Sequence, residues 1–198
     1  MKIGILISGR GSNMAAIIDA VQRGEIRDSE VAIVISDKPD ATGLAKAAEK
    51  GVPTAVIERR GRSREEHDRE IAAKIREYNV ELICLAGYMR LLSGWFVSEF
   101  ANRIINIHPS LLPAFPGLDA QRQAFEAGTK VTGCTVHFVD ERLDHGDVIL
   151  QREVPRLDGD TAESLADRIL QQEHLLYIQA IKRLVAANGA DVIDNSFL

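Results

Sequence analysis

Short apolar, β-branched runs alternate with stretches of helical spacing along this chain, and that alternation leaves few folds open. Residues 2–7, 31–35, 54–57, 81–86 and 103–107 each read as buried strands by length and by Ile and Val content. Helical stretches fall between them, at about 14–23, 43–50, 63–78 and 93–100, the third opened by Ser63 and Glu66 at capping-box spacing. Such alternation builds βαβ units, and hence an open, mostly parallel twisted sheet with helices on both faces. Two further strands, 131–139 and 147–154, are joined by a short loop and form an antiparallel edge pair near the C-terminus. A helix at about 119–128 precedes that pair. A long one, about 161–187, follows it, with Leu165, Ile169, Leu176, Ile178, Ile181 and Leu184 at helical spacing.

The chain has 198 residues, enough for one domain with a full core and no staples. A net charge of −5 argues against a nucleic-acid partner, which wants a basic footprint. It leaves room for a small anionic substrate, which needs only a local cluster of donors. Cys84 and Cys134 lie inside apolar strand runs and read as reduced, buried fillers of a cytoplasmic protein, without metal-ligand spacing. No metal is expected. The N-terminus lacks a signal-peptide pattern, and no apolar run approaches the roughly 20 residues of a membrane span.

Ligands of an open parallel α/β sheet bind at the carboxyl ends of its strands. Four stretches of this chain fall there. Ser8-Gly9-Arg10-Gly11-Ser12-Asn13 follows the first strand and precedes a helix. Its glycines let backbone approach an anion, and Ser12 and Asn13 add donors, so Gly11, Ser12 and Asn13 read as a phosphate grip. A dinucleotide motif is disfavoured, because Met14 stands at the third glycine position and Asp37 lies beyond the expected offset of about 20 residues. Arg59, Arg60, Arg62 and Arg64 follow the third strand, and Arg64 is the choice for an anionic ligand tail. After the fourth strand, Met89, Leu91 and Leu92 around Arg90 suit a flat, partly polar ring system, unless they are simply core.

The fourth stretch is Asn106-Ile107-His108-Pro109-Ser110-Leu111-Leu112-Pro113. An amide and an imidazole two residues apart on a strand share a face and can point at one reacting atom. The competing reading is a turn-capping asparagine beside a core histidine. The prolines leave the Leu112–Pro113 isomer open. In the later 140–147 loop, Asp144 is one of several acids. A carboxylate beside His108 would favour the charged imidazole. His137 reads as a structural histidine, His67 and His174 as helix residues, and His145 stays ambiguous.

Taken together, Ser8–Asn13, Asn106–Pro113, Phe115-Pro116-Gly117-Leu118 and Thr135–Asp140 with Leu143-Asp144 resemble the phosphoribosylglycinamide formyltransferases, members of the formyltetrahydrofolate-dependent formyltransferase family. The resemblance covers essentially the whole chain. It implies a Rossmann-like α/β fold and a single formyltransferase domain over 1–198, with a phosphate-binding half (1–100) and a catalytic and folate-binding half (101–198). The implied reaction transfers the formyl group of 10-formyltetrahydrofolate, as co-substrate, to the amine of glycinamide ribonucleotide in purine biosynthesis. Asn106, His108 and Asp144 would be catalytic. Gly11, Ser12, Asn13 and Glu173 would hold the ribonucleotide. Arg64, Met89, Arg90, Leu91, Leu92, Asn106, Asp140 and Asp144 would line the folate site. A monomer or homodimer is expected. This chain departs after the distal acid, where His145-Gly146-Asp147 replaces the more usual Gly-Gly-Pro.

Three rival readings stand beside this one. Methionyl-tRNA formyltransferase would need a tRNA-binding domain and basic surface. Formyltetrahydrofolate hydrolase usually carries an added N-terminal domain. A non-catalytic folate- or phosphate-binding module would not need Asn106, His108 and Asp144 together.

Overall fold

The computed structural model describes the backbone of residues 1–194 and the side chains of residues 1–187. Its elements are β1 (Lys2–Ile7), α1 (Ser12–Gln22), β2 (Glu30–Ser36), α2 (Thr42–Glu49), β3 (Thr54–Val56), α3 (Arg64–Glu77), β4 (Leu82–Leu85), α4 (Gly94–Glu99), β5 (Ile104–His108), α5 (Ala120–Glu126), β6 (Val131–Phe138), β7 (Val148–Pro155) and α6 (Ala162–Asp194). The seven strands form one sheet in the order β3-β2-β1-β4-β5-β6-β7. Neighbours from β3 through β5 pair parallel, while β6 runs antiparallel to both β5 and β7. The expected parallel sheet with an antiparallel C-terminal edge is what forms. Chain order reverses beside β1, and the crevice at the carboxyl ends of β1 and β4 is the switch point of such sheets.

Alternation along the strands divides the apolar residues between two cores. Ile3, Ile5, Ile7, Cys84, Ile105, Ile107, Cys134 and Val136 face Met14, Ile17 and Ile18 of α1 and Leu165, Ile169, Tyr177 and Ile181 of α6. Leu6, Ile33, Ile35, Ile83, Leu85 and Ile104 face Ile71 and Ile75 of α3 and Phe96 of α4. Asn106 and His108 have the parity of Ile104, so they share the α3/α4 side of the sheet. The fully buried Tyr177 crosses the first core to donate its hydroxyl to the carbonyls of Leu85 and Ile105, at 3.0 and 3.1 Å. It ties α6 to β4 and β5.

Several boundaries differ from the sequence reading. The first helix begins at Ser12, so Ser12 and Asn13 occupy its first turn rather than a loop. Gly11 makes this possible by taking a left-handed backbone (φ 65°) as the N-cap. His108 belongs to β5, because it pairs with Thr135 of β6. The last helix continues past residue 187 to Asp194. Ser63 forms the expected capping box with Glu66 at the start of α3. The Leu112–Pro113 peptide is cis.

Tyr177→Phe removes a buried donor shared by two carbonyls, and is expected to lower unfolding free energy by about 1–2 kcal/mol. Urea denaturation measures the difference.

Candidate active site

The β1–α1 turn leaves backbone donors without protein partners. α1 has no side-chain cap, and the first bond of its ladder runs from Ala15 N–H to the Gly11 carbonyl. The preceding N–H groups, with the dipole of an 11-residue helix, form an anion cradle. A Cβ on Gly11 would press on Gly43 Cα at 3.0 Å, so the turn sits directly on α2. The Asn13 side chain does not enter the cradle. Its Nδ2 donates to Glu173 Oε2 of α6 at 2.7 Å, and its Oδ1 is buried without a partner. Of the residues expected to grip a phosphate, Asn13 is thus committed to Glu173. Asn13 and Glu173 instead form one buried polar pair beside the cradle. Burial pushes the Glu173 carboxyl above its ordinary value, against the opposing Asn13 hydrogen bond.

At the end of β5 the structure brings Asn106, His108 and Asp144 together, with His137 between them. His108 Nδ1 lies 3.4 Å from Asp144 Oδ2, and His137 Nε2 lies 3.9 Å from Asp144 Oδ1. Asn106 Nδ2 meets His137 Nε2 at 3.2 Å. All three ionisable side chains are at least nine-tenths buried. Asp144 has φ +50°, a left-handed conformation that aspartate tolerates better than most residues. The Gly117 N–H donates to its Oδ2 at 2.8 Å.

The hydrogen-bond partners assign protonation states. His137 Nδ1 faces the Phe138 carbonyl at 2.7 Å, so that nitrogen carries the proton. Its Nε2 then accepts from Asn106, leaving the second amide hydrogen of Asn106 available. Burial keeps the His137 ring below its ordinary value, outweighing the pull of the Phe138 carbonyl and Asp144. His108 differs. Its Nε2 faces the Phe115 carbonyl at 2.8 Å, and its Nδ1 lies on the Asp144 side. Two imidazoles thus flank one carboxylate.

Sequence reasoning set His137 aside as structural, and the fold places it at the centre of the cluster. The usable signal was parity: Thr135 and His137 alternate with apolar Cys134 and Val136, so they line the polar face opposite Asn106 and His108. Thr135 also anchors the 109–117 loop. Its Oγ1 donates to the Ser110 carbonyl at 2.7 Å and accepts from Leu112 N–H and Gln151 Nε2.

Met89 and Leu91 are more than half exposed and not core, as are Leu118 and Leu143, whereas Leu92 packs against the α3/α4 core. Arg90 is partly committed, since its Nε donates to Asp37 Oδ2 at 2.6 Å. Arg64 is exposed at the start of α3 and pairs with no carboxylate among the described residues, whereas Arg60 and Arg62 pair with Glu58 and Glu70. The Asp140 side chain serves its own loop. It accepts from Arg142 N–H at 2.8 Å and His145 Nδ1 at 3.0 Å. Desolvation raises its carboxyl, but these bonds outweigh that and leave it below the ordinary value. The departure at His145-Gly146-Asp147 does not open the loop. His145 closes it, the Asp147 carbonyl accepts from Phe138 N–H, and a Cβ on Gly146 would overlap the Phe138 carbonyl. Among the described residues no group of three His, Cys, Asp or Glu side chains is placed to hold a metal ion. No helix among them is long and apolar enough to cross a membrane.

Residues 1–181 match the family model described as formyl transferase. Phosphoribosylglycinamide formyltransferase of Escherichia coli (strain K12) is 47% identical over 178 residues, covering 89% of this chain and 84% of that protein. This chain belongs to the formyl transferase family. A crystal structure of glycinamide ribonucleotide transformylase 1 from Symbiobacterium toebii superposes with a TM-score of 0.92 at 51% identity, over 94% of this chain and 88% of that one. The trifunctional purine biosynthetic protein adenosine-3 of Drosophila melanogaster is 47% identical over 97% of this chain, which spans only 14% of that protein's length. Among formyl transferases, then, this chain aligns both with a separate enzyme and with a small part of a longer polypeptide.

Because Glu173 titrates higher folded than unfolded, the folded state holds the extra proton, and stability falls as pH rises above the ordinary glutamate value. Glu173→Gln keeps an acceptor for Asn13 and removes that penalty. Its urea midpoint is expected to exceed the parent's at pH 7, with the difference shrinking toward pH 4.

Proposed function

We propose that this protein transfers the formyl group of 10-formyltetrahydrofolate to the amine of 5′-phosphoribosylglycinamide, a step of de novo purine biosynthesis. The observation that carries the reading is the meeting of Asn106, His108 and Asp144 at the end of β5, in a chain with an open anion cradle at α1. The backbone at Gly11, Ser12 and Asn13 receives the ribonucleotide phosphate, and Glu173, held by Asn13, meets the ribose hydroxyls. Met89, Leu91 and Leu92 with Arg90 receive the folate ring system, and Arg64 its acidic tail. Asp140 shapes the loop that closes this side. Residues 1–198 act as a single domain, 1–100 supplying the phosphate site and 101–198 the catalytic and folate sites. The protein works in the cytoplasm as a monomer or homodimer, with no nucleic-acid partner.

In the reaction the substrate amine attacks the formyl carbon. A new C–N bond forms, the bond to the folate nitrogen breaks, and one proton passes from the amine to that departing nitrogen. Negative charge builds on the formyl oxygen between those events. The free amide hydrogen of Asn106 donates to that oxygen, beside side chains that are already buried. His108, held between the Phe115 carbonyl and Asp144, stabilises the same oxygen. Asp144 takes the amine proton and relays it to the folate nitrogen. The chemistry requires no metal, because the formyl donor is already activated.

The deciding assay follows loss of the formyl group from 10-formyltetrahydrofolate by absorbance, with and without glycinamide ribonucleotide. Turnover only with the ribonucleotide is expected, and turnover without it would indicate the hydrolase. Asn106→Ala is expected to lower kcat by about 10²–10³. His108→Ala should lower kcat far more than it raises either KM, and near-normal turnover would remove it from the mechanism. Asn13→Ala releases Glu173, and should raise the ribonucleotide KM while leaving the folate KM unchanged.

A further inference from the structure

A second buried polar network lies at the carboxyl edge of the sheet, apart from the acid and imidazoles. Ser8, the residue after β1, donates its hydroxyl to Asp37 Oδ1 at 2.6 Å and accepts from Met89 N–H at 2.8 Å. Its own N–H donates to the Gly87 carbonyl at 3.1 Å. Asp37, the residue after β2, uses its other oxygen to accept from Arg90 Nε at 2.6 Å. The Asp37 side chain is 1% exposed, and that of Arg90 is 35% exposed. Three strand ends are thereby joined through one carboxylate.

Dinucleotide-binding sheets of this topology place an acid near the end of the second strand to meet a ribose. Here Asp37 stands at that end but faces inward, with one oxygen on Ser8 and the other on Arg90. It has no oxygen free of a protein partner. The network leads to Met89, which is 60% exposed, and to Arg90, whose side chain is about a third exposed. Arg90 meets Asp37 through Nε alone, and its two terminal nitrogens have no protein partner among the described residues. An arginine held in this way presents the rest of its fork in one orientation.

We propose that Asp37 is a positioning residue for the formyl donor. It fixes the Arg90 guanidinium directly, and through Ser8 it fixes the Met89 backbone, so that this wall is ordered before the donor arrives. The inference rests on the reading above that residues 89–92 line the donor site. Ordering one long side chain on binding is worth roughly three- to tenfold in affinity, which sets the size of the effect.

The test compares Asp37→Asn and Ser8→Ala with the parent protein. Asp37→Asn keeps the shape and removes the charge that holds Arg90. Ser8→Ala removes the hydroxyl that links Asp37 to Met89. For each, KM is measured for 10-formyltetrahydrofolate and for glycinamide ribonucleotide, with kcat, and tetrahydrofolate is titrated by calorimetry. The donor KM and the tetrahydrofolate Kd are expected to rise together, about three- to tenfold, while kcat and the ribonucleotide KM stay within about twofold. A merely structural role would lower kcat through loss of folded protein and would not separate the two substrates. An unchanged donor KM, or an equal rise in both KM values, overturns the proposal. If Asp37→Asn does not fold, Ser8→Ala is read in the same way, and failure of both to fold makes the network structural and ends the proposal. Absent turnover in the parent protein rejects the formyl-transfer reading itself. Normal parent turnover with an unshifted donor KM in the variants rejects only the role of Asp37.

Discussion

The register between β5 and β6 is the constraint on which the rest depends. It sets Asn106 opposite His137 and His108 opposite Thr135. A slip of β6 by one residue would turn Thr135 and His137 into the core shared by α1 and α6. Their desolvation, without partners there, would be far more costly than any gain in pairing. Ile105, Ile107, Cys134 and Val136 on the other face hold the register by filling that core. The apolar half of the alternation stabilises the sheet, and the same alternation delivers the polar half to the crevice.

The carboxylate of Asp144 is held from several sides. The Gly117 N–H and two imidazoles surround it, and its own backbone is left-handed. Gly146, which has no room for a side chain against Phe138, brings the loop back sharply toward β7. Strain of this kind persists only where surrounding contacts over-determine it. The 109–117 loop supplies those contacts, with the Phe115 carbonyl on His108 and the Gly117 N–H on Asp144. Thr135 and Gln151 hold that loop in turn. A polar cluster assembled before substrate arrives has little reorganisation left to make during reaction.

Much of this was legible in the chain. The parallel sheet, the antiparallel edge and the capping box of α3 follow from local patterns. So do the uncapped N–H groups at the start of α1, because a glycine-bounded turn between a strand and a helix leaves N–H groups unpaired wherever it occurs. The shared face of Asn106 and His108 follows from strand parity. Partners distant along the chain were not legible. Asp140, Glu141, Asp144 and Asp147 look alike as a row of loop acids, and only the folded hairpin brings Asp144 to His108. Nothing near Asn13 announces Glu173, 160 residues later. Arg90 carries no mark of Asp37, and His137 resembles any strand histidine until Asn106 is set across from it.

By itself, then, the sequence determined which segments would be strands and helices, which of their faces would be apolar, and which turns could bare backbone donors. Those properties arise from side-chain periodicity and from the conformational range of glycine and proline within a few residues. Only the tertiary structure decided which acid meets which imidazole, which nitrogen carries the proton, and which arginine is already paired. Hydrogen bonds and charges act over a few ångströms, so residues far apart in the chain acquire partners only when the sheet closes the distance between them.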